Sequence, residues 1–255
     1  LFEGQPYLVM EVAQGKTLAA ILNETKSLDP ERAVAIFLQA CDGIAAAHSK
    51  GLIHRDIKPS NIVLTEEKSG ELHVKILDFG LAKVIADGDG PRENLTITGE
   101  VVGTLAYMAP EQCLGTTMDV RTDIYSFGCV MYEVLSGKLP LLADTSYEQM
   151  NKHVNEIPIS LSKSGPSIPP RLVRIVSKAL QKDPDDRFQN FHELKDALLG
   201  VEPAISKEIK AILFSSGNTN LSKKKKSLKK KLFLSLWALA LTSISLAGLL
   251  TFEQF

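Results

Sequence analysis

The sequence predicts an α+β fold in which helices dominate and a few short strands gather near one polar cluster. A single apolar helix follows at the C-terminal end. Three observations lead there. Apolar residues recur at helical spacing over several long stretches, and only residues 6–12 and 71–77 read as strands. Residues 232–252, LFLSLWALALTSISLAGLLTF, then run for 21 positions without a charge. At 255 residues the chain is long enough for one large domain or two small ones with a sizeable core.

The elements follow in order. PYLVMEV (6–12) reads as a strand that enters a turn at Gly15. Residues 28–50 read as a helix. Asp29 caps it, Pro30 suits its first turn, and Val34, Phe37, Leu38, Cys41, Ile44, Ala45 and His48 share one stripe. Gly51 ends it. ELHVKIL (71–77) alternates as a strand. Residues 79–110 form a long irregular segment, and connections of that length in a compact domain tend to be functional or mobile. Residues 123–136 make a strongly apolar helix stopped by Gly137, and 171–181 and 191–199 make two more.

Composition excludes some classes. The net charge of −1 hides an asymmetry, because seven lysines lie in the run KKKKSLKKK at 223–231. Without them 22 basic residues face 30 acidic ones, a balance of −8, which argues against nucleic-acid binding by the bulk of the chain. Cys41, Cys113 and Cys129 lie far apart with no C-x-x-C pair, which disfavours a zinc knuckle or disulfide scaffold and suits a reducing compartment. Cys41 and Cys129 fall on apolar stripes as small buried hydrophobes. No signal peptide and no internal repeat is expected.

The charge-free run between Leu232 and Phe252 spans roughly 30 Å as a helix, the thickness of a bilayer core. A buried globular helix is the alternative, but the run is apolar on every face. The seven lysines beside it mark a cytoplasmic flank. Residues 215–222, rich in Ser, Gly, Asn and Thr, read as a linker. The expected organisation is a globular domain over 1–200, a juxtamembrane linker with the Lys run over 201–231, and a transmembrane helix over 232–252.

The polar cluster is GLIHRDIKPSNIVL (51–64), which sets a His, an Arg, an Asp, a Lys and an Asn between two apolar runs. HRDIKPSN (54–61), DFG (78–80), APE (109–111) and DIYSFG (123–128) occur in that order, with Arg187 later. Together they resemble the large lobe of a eukaryotic-type (Hanks-type) Ser/Thr protein kinase of the bacterial receptor-like kind. The resemblance covers roughly residues 6–199 and implies a protein-kinase-like fold with a hinge strand and a helical C-terminal lobe.

What the resemblance implies for each residue is consistent with its chemistry. Asp56 accepts the hydroxyl proton, and Lys58 offsets charge on the transferred phosphoryl group. Asn61 and Asp78 offer the hard oxygens that Mg²⁺ takes, and ATP is the nucleotide. Turn capping is the alternative for Asp56 and Asn61, and it leaves Lys58, Asp78 and the spacing unexplained. Thr104 matches a residue that touches the catalytic Asp and Lys. Arg55 matches the Arg that holds a phosphate on the activation loop, for which Thr96 and Thr98 are the candidate acceptors. Ordinary loop threonines are the alternative there. His54, Phe79 and Gly80 complete the structural parts of their motifs.

Glu111 and Arg187 match a buried ion pair that braces the activation segment, and Asp123 matches the anchor of the catalytic loop's backbone. Met10 matches the gatekeeper, with plain core packing as the alternative. The Glu11, Val12 and Ala13 backbone would face the adenine edge, and Val63 its pocket floor. DIKPSN with GTLAYMAPE resembles Ser/Thr specificity.

The family's Gly-rich loop and strand Lys have no counterpart before Met10, so a longer natural protein is expected, and the chain alone should transfer phosphate poorly. The implied protein is a single-pass kinase of the bacterial plasma membrane, its kinase domain cytoplasmic, acting on protein Ser/Thr. A homodimer that phosphorylates in trans is compatible with it. The alternative function is an inactive kinase-like scaffold.

Overall fold

A computed structural model describes residues 11–66, 72–79, 105–163 and 168–201. The chain divides into two units, 1–205 and 206–255, and the second lies outside the described residues. So do residues 202–231 of the expected linker and the expected transmembrane segment. Among the described residues no helix is long and apolar enough to cross a membrane.

A small three-stranded sheet packs against a helical lobe. Strand β1 (Lys16–Thr17) pairs antiparallel with β2 (Ile62–Glu66), which pairs antiparallel with β3 (Leu72–Ile76). The β2–β3 register sets Ile62 opposite Ile76 and Thr65 opposite His73. Helix α1 (Leu18–Thr25) follows β1 directly, with Thr17 as its N-cap accepting from Ala20 N at 3.1 Å. Helix α2 (Pro30–His48) starts where Asp29 accepts from Arg32 N at 3.0 Å and Pro30 takes the first position, as its sequence requires. Gln39 of α2 stitches the outer strand to the helix. Its Nε2 donates to Leu72 O at 2.7 Å, and its Oε1 accepts from Val74 N at 3.0 Å. An otherwise open sheet edge is thereby satisfied.

The remaining helices are α3 (Pro110–Leu114), α4 (Val120–Ser136), α5 (Ser146–Asn155), α6 (Pro170–Ala179) and α7 (Phe191–Leu199). Helix α4 is the axis of the lobe and is buried on nearly every side, from Thr122 to Leu135. Phe127 on α4 meets Phe37 of α2 edge-on at 5.8 Å between ring centroids, and Phe191 of α7 at 5.6 Å. Gly128 lets α6 approach, since a Cβ there would lie 3.0 Å from Ala179 Cβ and 3.1 Å from Leu180 Cδ2. Cys41 and Cys129 are buried, and burial pushes both thiols well above the usual range.

Several expectations are corrected. Of the expected strand over 6–12, residues 6–10 lie outside the described residues; Glu11 and Val12 are not strand, Val12 is 83% exposed, and a short strand comes later, at Lys16–Thr17. Gly15 between them has φ +123°, and a Cβ there would collide with Leu64 O, so the turn needs glycine. Helix α4 begins at Val120, because Asp119 caps it by accepting from Arg121 N at 2.8 Å. Helices α1, α3 and α5 and strand β2 were not among the expected elements. In β2, Ile62, Val63 and Leu64 make a short buried apolar run, which periodicity cannot assign to strand or helix. SYEQMNKHVN is polar on most of its positions.

Phe127 fills space that no neighbour can reoccupy by small movements. Phe127→Ala should therefore lower unfolding free energy by about 3–5 kcal/mol in urea titration. A loss below about 1 kcal/mol would show that α4 does not organise the core.

Candidate active site

Helix α2 ends where Gly51 takes φ +76°, and the chain turns back beneath α4 as the 52–61 loop. Ile57, 1% exposed, pins this loop into the core, and a 3₁₀ turn at Pro59–Asn61 leads into β2. The loop's charged residues are thus held at the surface by the apolar residues between them.

Asp123 lies at the first turn of α4 and is fully buried. Its Oδ2 accepts from His54 N at 2.8 Å and from His48 Nε2 at 2.7 Å, and its Oδ1 accepts from Arg55 N at 2.8 Å. Three donors make burial of a carboxylate tolerable. They also hold Arg55 at φ +63°, a left-handed conformation that costs a non-glycine residue on the order of 1 kcal/mol or more.

His54 links the loop to the strand that follows it. Its Nε2 donates to Leu77 O at 2.7 Å, and its Nδ1 accepts from Asp56 N at 3.3 Å, so the ring proton sits on Nε2. Its ring packs on Phe79 at 4.8 Å between centroids. Leu77 N donates to Asn61 O at 2.8 Å. Asp78 comes one residue later, exposed and also left-handed at φ +57°.

Asp56, Lys58 and Asn61 meet directly. Lys58 Nζ contacts Asp56 Oδ2 at 2.8 Å, and Asn61 Nδ2 donates to Asp56 O at 2.8 Å and to Asp56 Oδ2 at 3.2 Å. The Asp56 side chain stays 41% exposed, so its carboxylate can still be reached from outside. Because Asn61 donates through its amide nitrogen, its oxygen faces away from Asp56. A cavity of about 450 Å³ opens beside Lys58, Pro59 and Ser60, with Lys26, Tyr107 and Glu133 on its far walls. Tyr107 Oη donates to Glu133 Oε2 at 2.6 Å. Burial, then the neighbouring carboxylate, pushes the Tyr107 hydroxyl well above its usual range, and burial raises the Glu133 carboxyl.

Arg187 is 1% exposed, and all five of its N–H donors are used. Nη1 and Nη2 reach Glu111 Oε1 and Oε2 at 2.8 and 2.9 Å in a bidentate pair. The others go to Gln181 O, Lys182 O and Arg121 O, at 2.8, 2.8 and 3.0 Å. Its guanidinium also lies 5.0 Å above the Tyr125 ring.

Further from the loop, Thr65 Oγ1 donates to Gln14 O at 2.6 Å and moors residues 11–14 on β2. Glu11 pairs with Lys75 at 3.0 Å near the surface, and Val63 is buried on β2. Met10, Gly80, Thr96, Thr98 and Thr104 lie outside the described residues. Among the described residues, no group of three or more His, Cys, Asp or Glu could hold a metal ion.

Two contacts were not foreseen from the residues. His48, assigned only to an apolar stripe, donates to Asp123. Gln112 on α3 has its Nε2 on Arg55 O at 2.9 Å, while its Oε1 accepts from Ala109 N at 3.1 Å. A polar residue on a core-facing stripe was the available signal for His48; Gln112 was not singled out.

Burial raises the Glu111 carboxyl, but the hydrogen bonds and charge of Arg187 outweigh it and hold it below its usual value. A depressed carboxylate stabilises the fold above its unfolded pKa and loses that contribution as pH falls through the folded one. Glu111→Gln should cost about 3–5 kcal/mol at pH 7. The gap from wild type should narrow as pH drops below about 4, read from urea midpoints across pH.

A match to the protein kinase domain family covers residues 3–198. The serine/threonine-protein kinase PknB of Mycolicibacterium smegmatis is 37% identical over 216 residues, which is 85% of this chain and 33% of that protein. The protein of the same name in Mycobacterium leprae is 38% identical over 208 residues, 82% of this chain and 32% of that protein. The chain spans about a third of the length of these curated relatives. The match runs through the 54–61 loop, the Asp123 anchor and the Glu111–Arg187 pair alike, and the chain belongs to the protein kinase family.

Proposed function

We propose that this chain supplies the large lobe of a serine/threonine protein kinase, which transfers the terminal phosphoryl group of ATP to hydroxyls of protein substrates. The observation that carries the reading is the contact of Asp56 Oδ2 with both Lys58 Nζ and Asn61 Nδ2, at 2.8 and 3.2 Å, on a loop whose backbone is tied down from within.

Each side chain has a task that its chemistry suits. Asp56 orients a Ser or Thr hydroxyl and accepts its proton at Oδ2. Lys58 stands beside the same oxygen and stabilises negative charge on the group in transfer. Asn61 Oδ1 and the Asp78 carboxylate are the hard oxygen donors that Mg²⁺ takes, and the orientation of Asn61, with its nitrogen toward Asp56, suits that role. Held by Asn61 and Asp78, Mg²⁺ would supply positive charge to offset the negative charge of the phosphoryl group in transfer. The Glu11, Val12 and Ala13 backbone, with Met10 and Val63, would receive the adenine. Thr104 would join the Asp56–Lys58 contact, and phosphate on Thr96 or Thr98 would be held by Arg55. The serine/threonine names of the PknB relatives and the segment GTLAYMAPE support the choice of acceptor.

Asp56→Asn in the full-length product of the gene should lower kcat by about 10²–10⁴ and leave thermal unfolding within a few degrees. Phosphotransfer at the wild-type rate from this variant would overturn the reading.

The charge-free segment 232–252 beside the Lys run supports a membrane anchor with the kinase lobe on the cytoplasmic side. Protease added outside intact cells should leave residues 1–200 uncut and cut them once the membrane is opened. Cleavage in intact cells would refute this topology.

A further inference from the structure

Five backbone groups of His54, Arg55 and Asp56 are each held by a side chain. Asp123 takes His54 N and Arg55 N, His54 Nδ1 takes Asp56 N, Asn61 Nδ2 holds Asp56 O, and Gln112 Nε2 holds Arg55 O. Arg55 is therefore gripped on both faces of its residue, by Asp123 from the core and by Gln112 from α3. The grip acts on the left-handed residue immediately before Asp56. A relaxed φ at Arg55 would swing the next peptide, and with it the Asp56 carboxylate.

We propose that Gln112 is a positioning residue for Asp56, the second jaw of a clamp on Arg55. The proposal rests on the reading of Asp56 as the proton acceptor. Capping α3 alone would occupy only Gln112 Oε1, through Ala109 N at 3.1 Å. The amide's other end leaves the helix and reaches a carbonyl 57 residues earlier in the chain. A primary amide is the side chain that both accepts at the cap and donates to the loop from one planar group. Glutamate at this position would keep the cap but set a carboxylate oxygen against Arg55 O. Methionine would match the length and make neither bond.

The test uses the full-length protein and has two arms. In the first, hydrogen exchange at the Arg55 and Asp56 amides should be about tenfold faster in Gln112→Glu than in wild type, with Phe127 and Val130 in α4 unchanged. In the second, kcat should fall by about 10- to 100-fold, while KM for Mg-ATP and for a threonine peptide stay within about twofold. Should Gln112→Glu fail to fold, Gln112→Met makes the same two predictions. Unchanged exchange at Arg55 and Asp56 overturns the proposal. So does unchanged kcat, or a rise in KM alone, because a residue that only caps α3 or only aids binding would give those results. An inactive wild type with faster exchange in the variant supports the clamp and refutes the kinase reading instead.

Discussion

The buried carboxylate of Asp123 is the interaction on which the rest of the lobe depends. It sits in the first turn of a helix that is surrounded by protein, where an unpaired charge would be costly, and it is tolerated because three N–H groups converge on it. Two of those belong to consecutive backbone amides of the loop that carries Asp56. The need to satisfy Asp123 and the need to hold a strained loop are thus met by the same bonds. Removing the carboxylate would leave three buried donors without an acceptor and release Arg55 from its left-handed geometry.

Arg187 solves a comparable problem at the first turn of α3. A guanidinium that is 1% exposed must place every N–H, and it does so through Glu111 and three carbonyls from α4 and the α6–α7 connection. Such a pair is weak evidence of net stabilisation, because desolvation of both ions offsets much of the attraction. Its effect is geometric. It fixes α3 relative to α4, and α3 carries Gln112 to the loop. Asp123 therefore acts on the loop directly, at His54 N and Arg55 N, and Arg187 through α3, whose Gln112 reaches Arg55 O.

Much of this was legible in the residues. Asp29 and Pro30, the stripe through Phe37, Cys41 and Ile44, and the stop at Gly51 located α2 almost to the residue, because capping and periodicity are local physics. The span of α7 was equally plain. The same local signals failed where tertiary contacts set the state. IVLTE is a strand because β1 and β3 flank it, and α5 forms although few of its positions are apolar. Val12 looked like part of a strand and instead lies exposed on the surface.

At the site, the sequence alone supplied the candidates for the chemistry and their order, since HRDIKPSN and DFG resemble the family's motifs and so mark Asp56, Lys58, Asn61 and Asp78. It also indicated Glu111, Arg187 and Asp123 through the family resemblance. Only the tertiary structure decided how the loop is held: His48 and two loop amides on one carboxylate, and Gln112 on Arg55 O. The physical reason is separation. Asp123 is 69 residues from His54 and Gln112 is 57 from Arg55. Such contacts leave no trace in local propensity, and they exist because the packing of α2, α3 and α4 brings distant backbone together.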